Sequence, residues 1–199
     1  MSNGFEGRFI IRSPRSEEEM RETYALRYRE YCRIGSFQKE DFPDGLEKDG
    51  YDETAQHFIS LLDGAIVGSI RVCFQVDDRF LMETGSDAFS LPTWFPREPT
   101  CELSRLVAPS IGLSGSYSGA VRFRQSLYLL RAACRWSLNH GYRYCVAAWQ
   151  KAFFERLKEK GFPLLVLGAG KSYHHTEVIP CAGYPEILSA YLSSVLEEK

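Results

Sequence analysis

The run Cys101-Glu102-Leu103-Ser104-Arg105-Leu106-Val107 places a carboxylate, a hydroxyl and a guanidinium among apolar residues of strand-forming type. An ionisable group in such company is either paired or put to use, because burying an unpaired charge is costly. A carboxylate half-wrapped by Leu103 and Leu106 would have its pKa raised and could serve as a general base near neutral pH. The alternative is a solvated edge strand with an ordinary surface ion pair. A second polar group lies upstream, where Glu47, Asp49 and Asp52 fall within six residues. Three carboxylates this close invite a cation, but Tyr51 breaks the calcium-loop spacing. His174 and His175 are adjacent and so rarely point at one ion, and no metal site is expected. Arg27 offers the acidic box a different partner. It shares a helical stripe with Met20, Tyr24 and Tyr31, and an arginine on a core-facing stripe needs a buried counter-charge.

The elements that position these groups follow from residue type. Arg8 to Arg12 reads as a first strand, and Ser16 with Glu19 as a capping box opening the Arg27 helix. Residues 33 to 55 read as loop with a short helix. The dipeptide Asp63-Gly64 between apolar runs signals a hairpin of residues 57–62 and 65–75. Alternation on its second strand sets Ser69, Arg71 and Cys73 against Ile70, Val72 and Phe74. The same rule puts Glu102 and Ser104 on one face of their strand and Arg105 on the other. Residues 77 to 100 read as a variable loop. A Gly/Ser connection over 110–119 leads to a long helix with Phe123, Leu127, Leu130, Cys134 and Leu138 as its apolar stripe, stopped by Gly141. Strands over 142–149 and 162–167, a helix over 151–160, a last strand over 177–181 and a helix from Pro185 complete an α/β mixed sheet in a single domain, residues 1–199.

The order of these motifs resembles a known family. An Arg-Tyr near the start, an E-x-D-x-x-D box, an arginine on a central strand and then E-x-S-R resemble the acyl-homoserine lactone autoinducer synthases. The wording D-G-L-E-K-D-G-Y-D and E-L-S-R-L-V is closer still to the long-chain N-acyl amino acid synthases, over about residues 8 to 170. The resemblance implies a GCN5-related N-acetyltransferase-like fold. It implies transfer of a medium- or long-chain fatty acyl group to the α-amine of an amino acid, tyrosine being the family's acceptor. It places Arg27, Asp49, Asp52, Arg71, Glu102 and Arg105 in an electrostatic cluster beside the acceptor pocket. The chemistry makes Glu102 the candidate catalytic base, with Tyr31, Phe37 and Ser104 as further substrate-binding candidates and Arg71 or Arg105 available to an α-carboxylate. Any one of this charged cluster has a structural role as its alternative. The oxyanion would be met by a backbone N–H on or after the Glu102 strand, and Tyr142 or Tyr144 are candidates to protonate the leaving thiol.

Two departures from the family pattern bear on the substrates. The R/Q-x-x-G-x-G/A loop of acetyl-coenzyme A users is replaced by a glycine-rich stretch from Gly112 to Ala120, which could still hold one phosphate at a helix start. That favours the phosphopantetheine arm of an acyl carrier protein as donor, with no permanently bound cofactor. Phe37 stands where lactone synthases usually carry Trp, which weakens the reading of S-adenosylmethionine as acceptor. Arg124, Arg131 and Arg135 share a stripe on the long helix, with Arg122 and Lys151 nearby, and form a candidate dock for an acidic carrier. The alternative there is a solvated helix face, and for Phe123, Trp136, Trp149, Phe153 and Phe154 plain core rather than an acyl tunnel. A lactone synthase, an acyltransferase of surface-protein sorting, and a catalytically silent carrier-binding module on the same fold remain open.

Composition limits the rest. Hydrophobic content of 44% and 14% aromatic residues suit a folded domain, and a net charge of −2 offers no global field for nucleic acid. No apolar run is long enough to span a bilayer, so no stable membrane insertion is expected. The first residues lack the apolar stretch of a secretory signal. Six scattered cysteines without a C-x-x-C pair fit reduced thiols and a cytoplasmic setting.

Overall fold

The structure is a computed structural model describing residues 9–85, 88–109, 111–112, 115–116, 119–173 and 176–197. The chain enters through β1 (Ile10–Arg12) and turns into α1 (Glu17–Arg33). Ser16 Oγ accepts from the Glu19 N–H at 3.2 Å, but the Glu19 carboxylate turns to the Arg15 N–H and the Arg12 guanidinium. Only half of the expected capping box forms. Three acidic residues in the first turn favour the helix dipole, and Gly35, at φ 77°, ends the helix in the left-handed conformation. After a short 3-10 turn (Lys39–Asp41), β2 (Gln56–Leu62) and β3 (Ala65–Cys73) form the expected hairpin. Asp63 and Gly64 both take positive φ, 51° and 83°, the geometry that matches the twist of two antiparallel strands.

Next come β4 (Thr100–Val107), the two-residue pair β5 (Ile111–Gly112) and β6 (Gly115–Ser116), and α2 (Gly119–Asn139). They are followed by β7 (Tyr144–Gln150), α3 (Lys151–Glu159), β8 (Leu165–Val166), β9 (Lys171–Tyr173), β10 (Thr176–Gly183) and α4 (Pro185–Glu197). The main sheet runs β1-β2-β3-β4-β7-β10-β8, with β9 also on β10. Its one parallel contact is β4 on β7, with the long α2 as the crossover. The expected strand over 162–167 shrinks to the two residues of β8, and β9 had no strand signal. The paired histidines 174 and 175 and part of the Gly/Ser connection (110, 113–114 and 117–118) lie outside the described residues.

Alternation sorts the two faces of this sheet. Ile70, Val72, Cys101, Leu103, Cys145 and Ala147 join the buried faces of α2, α3 and α4 in the larger core. Leu138, expected on the apolar stripe of α2, is exposed. The opposite face carries Arg71, Cys73, Glu102 and Ser104. It is covered by α1, by the acidic loop and by residues 76–99, which build a second core around Phe80, Met82, Phe89 and Phe95. The described part of that segment (76–85 and 88–99), most of it inside the variable loop expected over 77–100, is therefore a packed wall of loop and short turn. All six cysteines are free thiols, five of them buried. Among the described residues no helix is long and apolar enough to cross a membrane.

Candidate active site

Three arginines and three carboxylates from four places in the chain close into one ring. Arg27 of α1 donates from Nε to Glu47 and from its two Nη atoms to Asp52 at 2.7 and 3.0 Å. Arg71 of β3 meets Asp49 in a two-pronged contact of 2.8 and 2.7 Å and reaches Asp52 as well. Arg105 of β4 closes the circle, donating to Glu47 at 2.9 Å and to Asp49 at 2.8 Å. Formal charges cancel. Such closure is what makes buried ion pairs tolerable, since each desolvated charge has paired, directional partners. Arg27 is 1% exposed and Arg71 fully buried, so the expectation that the acidic box supplies Arg27 with its partners holds.

Simple strand alternation would have sent Arg105 to the opposite face. The structure corrects that expectation. Register slips where Ser69 faces Val107 but Arg71 faces Ser104, so Arg105 and Leu106 together oppose Ile70. Arg105 sits at φ 52°, in the left-handed region unusual for a residue with a Cβ. This bulge turns its side chain back to the face that carries Glu102 and Ser104. Ser104 Oγ accepts from Arg71 Nε at 3.0 Å and lies 3.2 Å from Cys73 Sγ.

The ring fixes the ionisation of its members. Burial alone would raise the Asp52 carboxyl, yet the guanidinium groups of Arg27 and Arg71 hold it well below the usual carboxylate range. His57 packs below, its Nε2 3.2 Å from the Asp52 carbonyl, and burial lowers its pKa, so it stays neutral at pH 7. Glu102 lies outside the ring, 3% exposed. Burial pushes its carboxyl up to about 7, opposed by the Met82 N–H, at 3.2 Å from Oε2, and by the more distant charges of Arg71 and Arg105.

Glu102 opens onto a cavity of about 370 Å³. β4 and β7 pair only over Thr100–Glu102 and Tyr144–Val146. Past that point both strands line the cavity, with Leu103 to Ala108 on one side and Ala148 to Gln150 on the other. Tyr31 and Phe37 form one wall, edge to face at 5.5 Å, with the Arg105 guanidinium 5.9 and 5.8 Å from the two rings. Burial pushes the Tyr31 phenol up to about 12. Phe123, Trp149 and Phe153 line the cavity too, with ring centroids 5.9 and 5.7 Å apart through Phe153. Trp136 and Phe154 pack elsewhere in the core.

Of the expected site residues, Tyr31, Phe37, Glu102, Ser104 and Arg105 line the cavity, while Arg27, Asp49, Asp52 and Arg71 sit behind it in the ring. Arg71 has its guanidinium engaged by Asp49, Asp52 and Ser104, which corrects the expectation that it is open to a substrate carboxylate. Tyr142 and Tyr144 are also corrected: Tyr142 stacks on Phe74, and Tyr144 packs against Phe95 and Tyr184, away from the cavity. The basic group divides. Arg124 and Arg131 flank the Tyr128 ring at 5.8 and 5.3 Å, and Arg135 is exposed along the same helix. Arg122 instead faces the cavity, and Lys151 pairs with Glu177 of β10. The sequence reading missed Leu81, Met82 and Phe89, which close the cavity from the 76–99 segment, and Arg156, whose guanidinium covers Phe123 at 4.1 Å.

The family of sequences described as autoinducer synthase matches residues 12–198. The chain belongs to that family. The match extends past the C-terminal limit expected from the motifs alone. No curated protein sequence matches this family member, but solved structures do. They include the acyl-homoserine lactone synthase LasI (18% identity, 90% of this chain and 91% of that one, TM-score 0.70). A coenzyme A-dependent acyl-homoserine lactone synthase, BjaI, is similar at 18% identity over 92% and 84%, TM-score 0.68. FeeM, an N-acyl amino acid synthase from uncultured soil microbes, is similar at 13% identity over 93% and 95%, TM-score 0.64. The fold is thus the expected N-acyltransferase architecture, a mixed sheet flanked by helices.

Proposed function

We propose that this family member is an N-acyltransferase that moves a medium- or long-chain acyl group from a carrier-borne thioester to the α-amine of an amino acid. The observation that carries this reading is Glu102, a buried carboxyl pushed up to about 7, on a cavity lined both by the guanidinium groups of Arg105 and Arg122 and by the rings of Tyr31, Phe37, Phe123, Trp149 and Phe153. The acceptor ammonium first gives one proton to solvent. Its nitrogen then attacks the thioester carbon, and Glu102 takes the second proton from the tetrahedral adduct. A base poised near the working pH is ionised often enough to accept and acidic enough to give back. Collapse breaks the C–S bond, and the departing thiolate receives the proton from Glu102. N–H groups of β4 past its last pairing with β7 are suited to meet the oxyanion.

The same residues suggest how each substrate sits. With Arg71 closed into the ring, Arg105 is the ring arginine that lines the cavity, and it stands beside Tyr31 and Phe37, a setting that suits an aromatic amino acid such as tyrosine. Arg122 Nε is buried without a hydrogen-bond partner among the described residues and faces the cavity from the first turn of α2. A phosphopantetheine phosphate would supply that partner. The family match favours a second reading, acylation of S-adenosylmethionine with lactone formation.

Mass spectrometry of products separates the two. The protein is offered acyl carrier protein or coenzyme A thioesters with tyrosine, other amino acids or S-adenosylmethionine. An N-acyl amino acid formed faster from the carrier thioester supports the proposal. An acyl-homoserine lactone establishes the second reading, and no product from any pair contradicts both.

A further inference from the structure

Glu102 is held by more than its own strand. The N–H of Met82 donates to Glu102 Oε2, with the Leu81 N–H as a second backbone donor. Both belong to one 3-10 turn, Leu81–Glu83, and such a turn has few bonds of its own. Glu83 supplies the rest. Its carboxylate accepts from the Phe80 N–H at 3.1 Å and from the Leu91 N–H at 3.5 Å. It also takes both Nη atoms of Arg97, at 2.8 and 2.7 Å. Arg97 in turn donates to the Asp78 carbonyl at 3.0 Å and accepts at its own carbonyl from Gln75 at 3.1 Å. The guanidinium–carboxylate pair therefore ties Arg97 to the 81–83 turn and to the Asp78 carbonyl, while the Arg97 backbone carbonyl holds Gln75.

We infer that the Glu83–Arg97 pair is a positioning device that holds the N–H donors of the 81–83 turn against the Glu102 carboxylate and so sets the pH at which that base ionises. This rests on the reading of Glu102 as the base. The physical argument is that N–H donors favour the charged form of a carboxylate, and a donor is effective only while the backbone carrying it is fixed. The other charged or titratable groups facing Glu102 are Arg71 and Cys73 of β3, Arg105 of β4 and Tyr51 of the acidic loop. The two arginines are locked in the ring, and Cys73, pushed up to about 11 by burial, is neutral. The turn is thus the one adjustable contributor in this set.

The test is a carbon-13 NMR titration of the Glu102 side-chain carboxyl, assigned by its loss in Glu102→Gln, in wild type, Glu83→Gln and Arg97→Met. Removing a negative charge at residue 83 would, by field alone, lower the Glu102 pKa, whereas removing a positive charge at residue 97 would raise it. Loosening the turn raises it in both. The expected result is an upward shift of about one unit in each variant, with the acid limb of kcat/KM moving by the same amount. Arg97, with a side chain 43% exposed, is the variant that keeps the fold should Glu83→Gln not. No shift in either, or shifts of opposite sign, overturns the inference. The base reading fails separately, if Glu102→Gln keeps its rate while the titration still moves.

Discussion

Asp52 and Glu102 lie on the same side of the sheet, nearly equally sealed from solvent at 7% and 3% exposure, and they end in opposite states. Asp52 has two arginines at hydrogen-bond distance and is ionised far below its ordinary range. Glu102 has backbone N–H donors but, among the described residues, no cation in direct contact, and burial carries it up to about 7. Burial decides little by itself; the partner decides the protonation. The ring pairs Arg27, Arg71 and Arg105 with Glu47, Asp49 and Asp52 and leaves Glu102 outside those pairings. The chain thereby separates a part that must stay charged from a part that must change charge.

The sharpest way to break this contrast is to take one arginine out of the ring. Arg27→Ala takes from Glu47 and from Asp52 one of the two arginines each is paired with in a dry site. Loss of one member of a buried pair costs about 3–5 kcal/mol, and the melting temperature should fall far more than for an exposed arginine such as Arg135. A melting temperature equal to wild type would show that the ring is not holding the fold.

The pH dependence of stability separates the two carboxyls further. Asp52, depressed in the folded state, contributes stability that is present above its unfolded value of 3.8 and lost as pH falls through the folded value below that. Glu102 has the opposite sign. Its folded pKa exceeds the unfolded 4.5, so the fold binds this proton more tightly, and stability is lost as pH rises from 4.5 through about 7. At about 1.4 kcal/mol per unit, that rise corresponds to roughly 3 kcal/mol. Glu102→Gln mimics the neutral acid and should therefore gain in melting temperature over wild type as pH goes from 5 to 8. A constant difference across that range would mean that Glu102 is ionised throughout.

A smaller effect is expected at the outer face of α2. Charge reversal at Arg131 and Arg135 should raise KM for an acyl carrier protein donor by about tenfold at low salt, less as salt screens the contact. Coenzyme A thioesters should be little affected. Indifference of both donors would leave the stripe as a solvated helix face.

The sequence showed the fold where local chemistry dictates it. Asp63-Gly64 announced its hairpin, and the stripe bearing Arg27 announced a buried arginine facing acids. Strand periodicity grouped Ser69, Arg71 and Cys73 on one face of their strand and Glu102 with Ser104 on one face of theirs. It failed at Arg105, because a bulge is a one-residue change of register between strands distant in sequence, with no residue type here to signal it. Over 77–100, where Pro, Asp and Thr suggested loop, the reading was right about the backbone up to β4 but did not show how the described residues pack. The order there comes from the Glu83–Arg97 contact across 14 residues and from Phe80, Met82, Phe89 and Phe95 packing together. Tyr142 and Tyr144 were two candidates among eleven tyrosines, and residue type says nothing of which side a ring packs on.

The most direct measurement of the central claim is kcat/KM of wild type and Glu102→Gln between pH 5 and 9, with the same acyl donor and acceptor. The account predicts a wild-type acid limb with a midpoint near 7, matching the raised carboxyl, and a rate lowered by roughly two to four orders of magnitude in a folded variant that has lost that limb. A variant that keeps near-full rate across this range would contradict it and return Glu102 to a purely structural role.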